Sequence, residues 1–194
     1  MNFKPEVVTI GLGYIGLPTS ALIAKNKIKV LGVDISPIVV DTINRGKIHI
    51  VEPELDQVVA SVVGDGYFKA SLHVDAPADV YLIVVPTPFK GDHEPDISFV
   101  QAATETILPL LKAGDLYIIE STSPIGTTEK MRELIYNKRP ELKDKLYMAY
   151  CPERVLPGNV MYELVHNDRV IGGGEPPSTG QTGAFYPGVV KSAL

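Results

Sequence analysis

Three glycines and one acid are the residues best placed to do chemistry. Gly11, Gly13 and Gly16 follow the apolar run Val7 to Ile10, and Asp34 stands 18 residues beyond Gly16. This spacing suits phosphate. Gly11 lets the chain turn tightly, Gly13 keeps side-chain atoms out of the way, and Gly16 lets the following helix pack close. The helix N-terminus then turns unpaired N–H groups and its positive dipole end toward the phosphates, with Tyr14 and Ile15 in the turn beside them. Asp34 ends a second apolar run, Val30 to Val33, where a carboxylate can accept hydrogen bonds from an adenosine ribose. A glycine turn that serves packing alone explains the glycines but not the acid. The combination reads as a dinucleotide site. No Arg or Lys directly follows Asp34 to meet a 2′-phosphate, which favours NAD over NADP.

Further polar residues gather where later apolar runs end. Val80 to Val85 is followed by Pro86-Thr87-Pro88 and a stretch to Asp96, with three prolines that predict a stiff, extended loop. Leu116 to Ile119 is followed by Glu120-Ser121-Thr122-Ser123, whose hydroxyls can bond a ribose, a water or a reacting group. The run ending at Tyr150 leads into Cys151-Pro152-Glu153-Arg154-Val155-Leu156, and a carboxylate in such a crevice can serve as a general base if its pKa is raised. By spacing alone these stretches read equally well as turn chemistry, and Glu153 with Arg154 as a solvated surface pair. His93 has no metal-ligand spacing around it, so no metal site is expected. Cys151, at an apolar strand end, reads as a small buried residue rather than a nucleophile.

The elements that must position these residues alternate along the chain. Strands are predicted over 7–10, 30–33, 80–85, 116–119 and 146–150. Helices are predicted from about Tyr14, over 37–45, 54–63, 97–111 and 127–138, with Ser36 and Asp96 as caps. Alternating β and α units joined by right-handed crossovers give an α/β, doubly wound parallel sheet. Ligands of such sheets bind beyond the carboxyl ends of the strands, which is where the residues above stand.

Bulk properties narrow the alternatives. With 194 residues, 45% of them hydrophobic and 21% charged, the chain suits one globular domain. A net charge of −5 without a basic run argues against nucleic acid as a partner. The apolar runs fall well short of the roughly 18 residues of a membrane span. The first five residues lead straight into a strand and leave no room for a signal peptide. A single cysteine excludes an internal disulfide framework and fits a reduced, cytoplasmic setting.

Several separated motifs together resemble the UDP-glucose/GDP-mannose dehydrogenase family. They are Gly11 to Pro18, Arg45 to Glu54, Pro86 to Asp96, Glu120 to Gly126, Tyr150 to Gly158 and Asn167 to Gly173. The strings 86–96 and 151–158 point to the branch whose substrate is UDP-N-acetylmannosamine. The resemblance implies a Rossmann fold and a reaction that oxidises a sugar C6 alcohol to a carboxylate with two NAD⁺. A cysteine captures the aldehyde, and a thioester is then hydrolysed. It further implies that Gly11, Gly13, Gly16, Asp34, Thr87 and Thr122 touch NAD. Thr122 would hold the hydrolytic water, Glu153 would be the general base, and Arg154, Val155 and Leu156 would line the nucleotide-sugar site. Whole members of the family are homodimers.

The chain also departs from the pattern. The family's nucleophile sits in a glycine-glycine-x-cysteine motif beyond a long central helix, whereas here Gly172 to Gly174 is followed by Glu175. Cys151 belongs to a different motif. The central helix and UDP-binding domain are expected to lie outside this sequence, leaving 1–173 as the NAD-binding domain and the chain by itself inactive. Residues 172–194 hold six glycines and three prolines, so 174–194 is expected to be an atypical, poorly ordered tail.

Overall fold

Alternation within short strands builds the layers. In a computed structural model, which describes residues 3–186, four strands form the centre: β1 (Val7–Ile10), β4 (Val80–Ile83), β7 (Leu116–Ile119) and β8 (Tyr147–Tyr150). Beside β1 lie β2 (Val30–Val33) and β3 (Phe68–Ser71). The register aligns Val8, Tyr81, Tyr117 and Met148 across β1, β4, β7 and β8. All four belong to one buried cluster, while Leu82 and Ile118, one residue further along, belong to the cluster on the opposite face. Both faces are covered, and strands buried on both sides read as continuous apolar runs.

With a last strand β9 (Gly172–Gly173), the sheet order is β3-β2-β1-β4-β7-β8-β9, parallel throughout except at that strand. The chain moves outward from β1 through β2 to β3, then returns to β4 on the other side of β1. The β1/β4 boundary is therefore the switch point, where a crevice opens. Helices α1 (Gly16–Lys25) and α3 (Leu55–Gly64) contribute Leu17, Ile23, Leu55 and Val59 to one face. Helices α4 (Ser98–Ile107) and α5 (Thr127–Lys138) contribute Val100, Ile107, Met131 and Ile135 to the other. Helix α2 (Pro37–Asn44) begins as its cap requires, with the Val39 N–H donating to Ser36 Oγ at 3.4 Å and Pro37 in the first turn.

Three regions differ from the sequence expectation. The segment 86–96 is a small antiparallel hairpin, β5 (Phe89–Lys90) and β6 (Glu94–Pro95), rather than an extended loop. Gly91 and His93 turn it, both at positive φ. The sheet is not wholly parallel, because β9 (Gly172–Gly173) runs antiparallel to β8. Two glycines show no apolar alternation, which hides such a strand. Finally, residues 174–186 are not a loose tail. Helix α7 (Pro176–Phe185) starts with two prolines, where missing N–H groups cost little, and packs against β8. Ser178 Oγ accepts the buried Met148 N–H at 3.1 Å, and Thr182 and Tyr186 are buried. The rest of that expectation, 187–194, lies outside the described residues. Strand β3 and helix α6 (Val160–His166) were also not anticipated.

Candidate functional site

A cleft of about 610 Å³ opens over the β1/β4 switch point. Its first end is made by the backbone of one turn. Gly11 has φ +98°, and a Cβ there would lie 2.2 Å from the Val84 carbonyl oxygen. At Gly16 a Cβ would lie 1.9 Å from the Gly11 carbonyl oxygen, so the turn closes only with hydrogen at both positions. Gly13 is different, because a Cβ there would meet nothing within 4 Å. Its glycine leaves open space at the cleft surface, as a pyrophosphate lying on the backbone needs. Helix α1 has no side-chain cap and no acid in its first turn, so its N-terminus stays electropositive toward that space.

Asp34 fixes the same end. Its Oδ2 accepts the Leu12 N–H at 3.1 Å and its Oδ1 accepts the Ser36 N–H at 2.9 Å. The carboxylate is thus tied to the glycine turn on one side and the cap of α2 on the other. Ile35 and Leu72, both exposed, stand beside it and give the cleft apolar walls suited to a flat base. The turn, the open space at Gly13 and the oriented carboxylate together fit the adenosine and pyrophosphate of NAD. An additional 2′-phosphate would be repelled by Asp34.

The second end is stitched together by hydroxyls from the ends of β4 and β7. Ser121 Oγ accepts the Val85 N–H at 2.9 Å, and Thr87 Oγ1 donates to the Thr122 carbonyl oxygen at 2.5 Å. Tyr150 at the end of β8 accepts the Ser123 N–H at 3.2 Å. Thr87, Thr122 and Glu153 all line the cleft. Below them Arg169 lies between two carboxylates, 2.9 Å from Glu153 and 3.6 Å from Glu120. All three side chains are buried. The Tyr186 ring lies 4.2 Å beneath the guanidinium, and its hydroxyl donates to Glu120. Burial pushes the Glu120 carboxyl above its ordinary range, against the pull of Arg169.

Of the residues singled out from sequence, the cleft brings together Gly11, Gly13, Tyr14, Ile15, Asp34, Thr87, Thr122 and Glu153. Gly16 sits behind them, where it closes the turn. Arg154, Val155 and Leu156 do not line the cleft. Arg154 is exposed and donates to the Asp168 carbonyl oxygen at 2.7 Å, while the Leu156 N–H donates to Glu163 at 2.8 Å. Glu153 pairs with Arg169 rather than with the side chain of Arg154. Cys151 is fully buried, and burial raises its thiol pKa with help from Glu120. Sequence reasoning missed Glu120, Arg169 and Tyr186 as one cluster. The available signal was the acid directly after β7, but its two partners lie 49 and 66 positions later.

Comparison with known proteins agrees with this geometry. Residues 5–189 match the UDP-glucose/GDP-mannose dehydrogenase family, NAD binding domain. A UDP-N-acetyl-D-mannosamine dehydrogenase of Yersinia pestis is 54% identical, over 96% of this chain and 46% of the relative. One from Campylobacter jejuni is 53% identical, over 89% of this chain and 44% of the relative. The solved UDP-N-acetyl-mannosamine dehydrogenase of Staphylococcus aureus superposes with a TM-score of 0.90 at 40% identity, over 96% of this chain and 46% of that one. The chain therefore spans about half the length of the relatives it matches. It belongs to the UDP-glucose/GDP-mannose dehydrogenase family, as an NAD-binding domain of that family.

Proposed function

We propose that this chain is the NAD-holding part of an enzyme that oxidises the C6 alcohol of UDP-N-acetylmannosamine to the carboxylate. The observation that carries the reading is the continuity of the cleft. One space joins the glycine turn and Asp34 to Thr122 and Glu153. NAD bound there supplies a hydride acceptor. The chain's own residues do the rest of the work at this face. Gly13 admits the pyrophosphate, Asp34 orients the ribose, and Thr87 holds the β4 and β7 ends together. Thr122 presents a hydroxyl to a water, and Glu153 stands ready to take that water's proton during hydrolysis. Arg154 and Leu156 are exposed after β8, with Val155 half-buried between them, and a nucleotide sugar would rest there against the remainder of the enzyme. The names of the relatives support the substrate.

The test is NADH formation by a protein that joins this domain to the other half found in its relatives. Turnover with UDP-N-acetylmannosamine should clearly exceed that with UDP-glucose, and the reverse preference would overturn the substrate assignment.

A second reading concerns the 194 residues alone, which we infer bind NAD without turnover. Its support is Cys151, the single cysteine, which is fully buried with a raised thiol pKa and so is a poor nucleophile. Sugar oxidation by the purified 194-residue chain would refute this reading.

A further inference from the structure

The buried cluster under the second end of the cleft has a charge imbalance. Among the described residues it holds two carboxylates, Glu120 and Glu153, and one guanidinium, Arg169. Arg169 sits closer to Glu153, at 2.9 Å against 3.6 Å for Glu120. Glu120 Oε1 receives the Tyr186 hydroxyl, while Oε2 is buried with no hydrogen-bond partner. Glu153 Oε2 and Arg169 Nε also lack one, but Glu153 Oε2 has the guanidinium at 2.9 Å, and Glu120 has it only at 3.6 Å. A buried carboxylate oxygen left without a donor is uncommon and calls for an explanation. Glu120 follows directly on β7, and its residue forms part of the cleft two positions from Thr122. Asp34 stands at the opposite end, on the far side of the switch point.

The dinucleotide reading fixes what lies above this cluster. If Asp34 takes the adenosine ribose and the Gly13 backbone the pyrophosphate, the nicotinamide half extends to the β4 and β7 ends. That ring is cationic when oxidised and neutral when reduced, whereas every other part of the molecule is the same in both forms. A negative charge under a water-poor floor acts across several ångströms with little screening. It therefore separates the two forms without touching either.

Resting on that cofactor reading, we propose that Glu120 is a specificity-determining residue: its incompletely compensated buried carboxylate makes the cleft favour the oxidised, cationic dinucleotide over the reduced, neutral one. The groups facing Glu120 are Arg169, Tyr186 and Glu153, and the Cys151 thiol lies beside the same cluster. His49 lies near Asp34 and Leu12 at the other end, and both groups there are remote from the nicotinamide, so they act nearly alike on the two forms.

The experiment is calorimetric binding of NAD⁺, NADH and ADP-ribose to the 194-residue chain and to Glu120→Gln. In the variant, NAD⁺ affinity should fall at least about tenfold, the scale of one unit charge acting over roughly 12 Å at an effective dielectric near 20, while NADH and ADP-ribose bind as before. Equal losses for NAD⁺ and NADH, or no loss for either, would overturn the role of Glu120. Failure of ADP-ribose to bind the unaltered chain would overturn the cofactor placement as well. If Glu120→Gln does not fold, the unaltered chain still carries the test. Protonating Glu120 removes its charge, so the NAD⁺ to NADH affinity ratio should fall as pH is lowered from about 8 to about 5. A flat ratio would overturn the proposal.

Discussion

The two ends of the cleft are built by opposite means. The glycine-turn end is made of backbone from one continuous stretch plus a single carboxylate. That carboxylate is half-exposed and satisfied by two N–H groups, from Leu12 and Ser36. The other end is made of side chains from five separate segments of chain, and its charges are buried and unequal in number. The first end is cheap to build and tolerates a change in its acid. The second carries the desolvation cost of three charged groups and holds together only as a set.

Arg169 is where the comparison breaks most easily. Arg169→Met leaves two buried carboxylates without a cation and should cost about 3–5 kcal/mol in urea unfolding. Burial raises the Glu120 carboxyl in the folded state, so its contribution to stability is present at low pH and is lost as pH rises through that raised value. The deficit of the variant should therefore shrink on acidification, and a deficit independent of pH would argue against a charge origin.

The glycines come next. Gly11→Ala, at φ +98° and 2.2 Å from the Val84 carbonyl oxygen, should lose roughly 1–3 kcal/mol or more of stability in thermal unfolding, and NAD binding with it. Gly13→Ala sharpens the contrast. Its Cβ meets nothing within 4 Å, so stability should stay within roughly 0.5 kcal/mol while NAD affinity falls. Parallel losses of stability and affinity at Gly13 would mean that the position is structural.

Asp34→Ala should weaken NAD binding by roughly 1–3 kcal/mol, the scale of a charged hydrogen bond, as read by calorimetry. Its stability effect should be smaller than that of Arg169→Met, because it releases two neutral N–H groups and leaves no buried charge unpaired. The smallest effect belongs to Arg154→Ala. Its side chain is exposed and donates to a backbone carbonyl, so stability should change by less than about 0.5 kcal/mol.

The same contrast decides what was legible in the sequence. Strand β7 and helix α5 fall where their patterns placed them, and Ser36 caps α2 as its position required. These are local signals, set by apolar runs and caps. The glycine turn and Asp34 were readable because one short stretch of chain builds them. Glu153 was visible as a strand-end acid, but its partner was not. Arg154 adjoins it in sequence, yet Arg169 reaches it in space. Helix α7 was hidden by its glycines and prolines, although the prolines occupy the first turn, where they fit. Its burial depends on small residues, Ser178 and Thr182, that carry no apolar signal. The hairpin at Phe89 to Pro95 was hidden in the same way, by prolines that mask a short paired segment.

The central claim is that one molecule of NAD spans both ends of this cleft. The direct measurement is an NMR titration of the ¹⁵N-labelled chain with NAD⁺, followed by amide shifts. Shifts should appear together at Leu12 to Gly16 and Ser36, and at Thr87, Thr122 and Glu153. Shifts confined to the first group, or centred instead on the separate pocket around Glu52 and Tyr162, would contradict the claim.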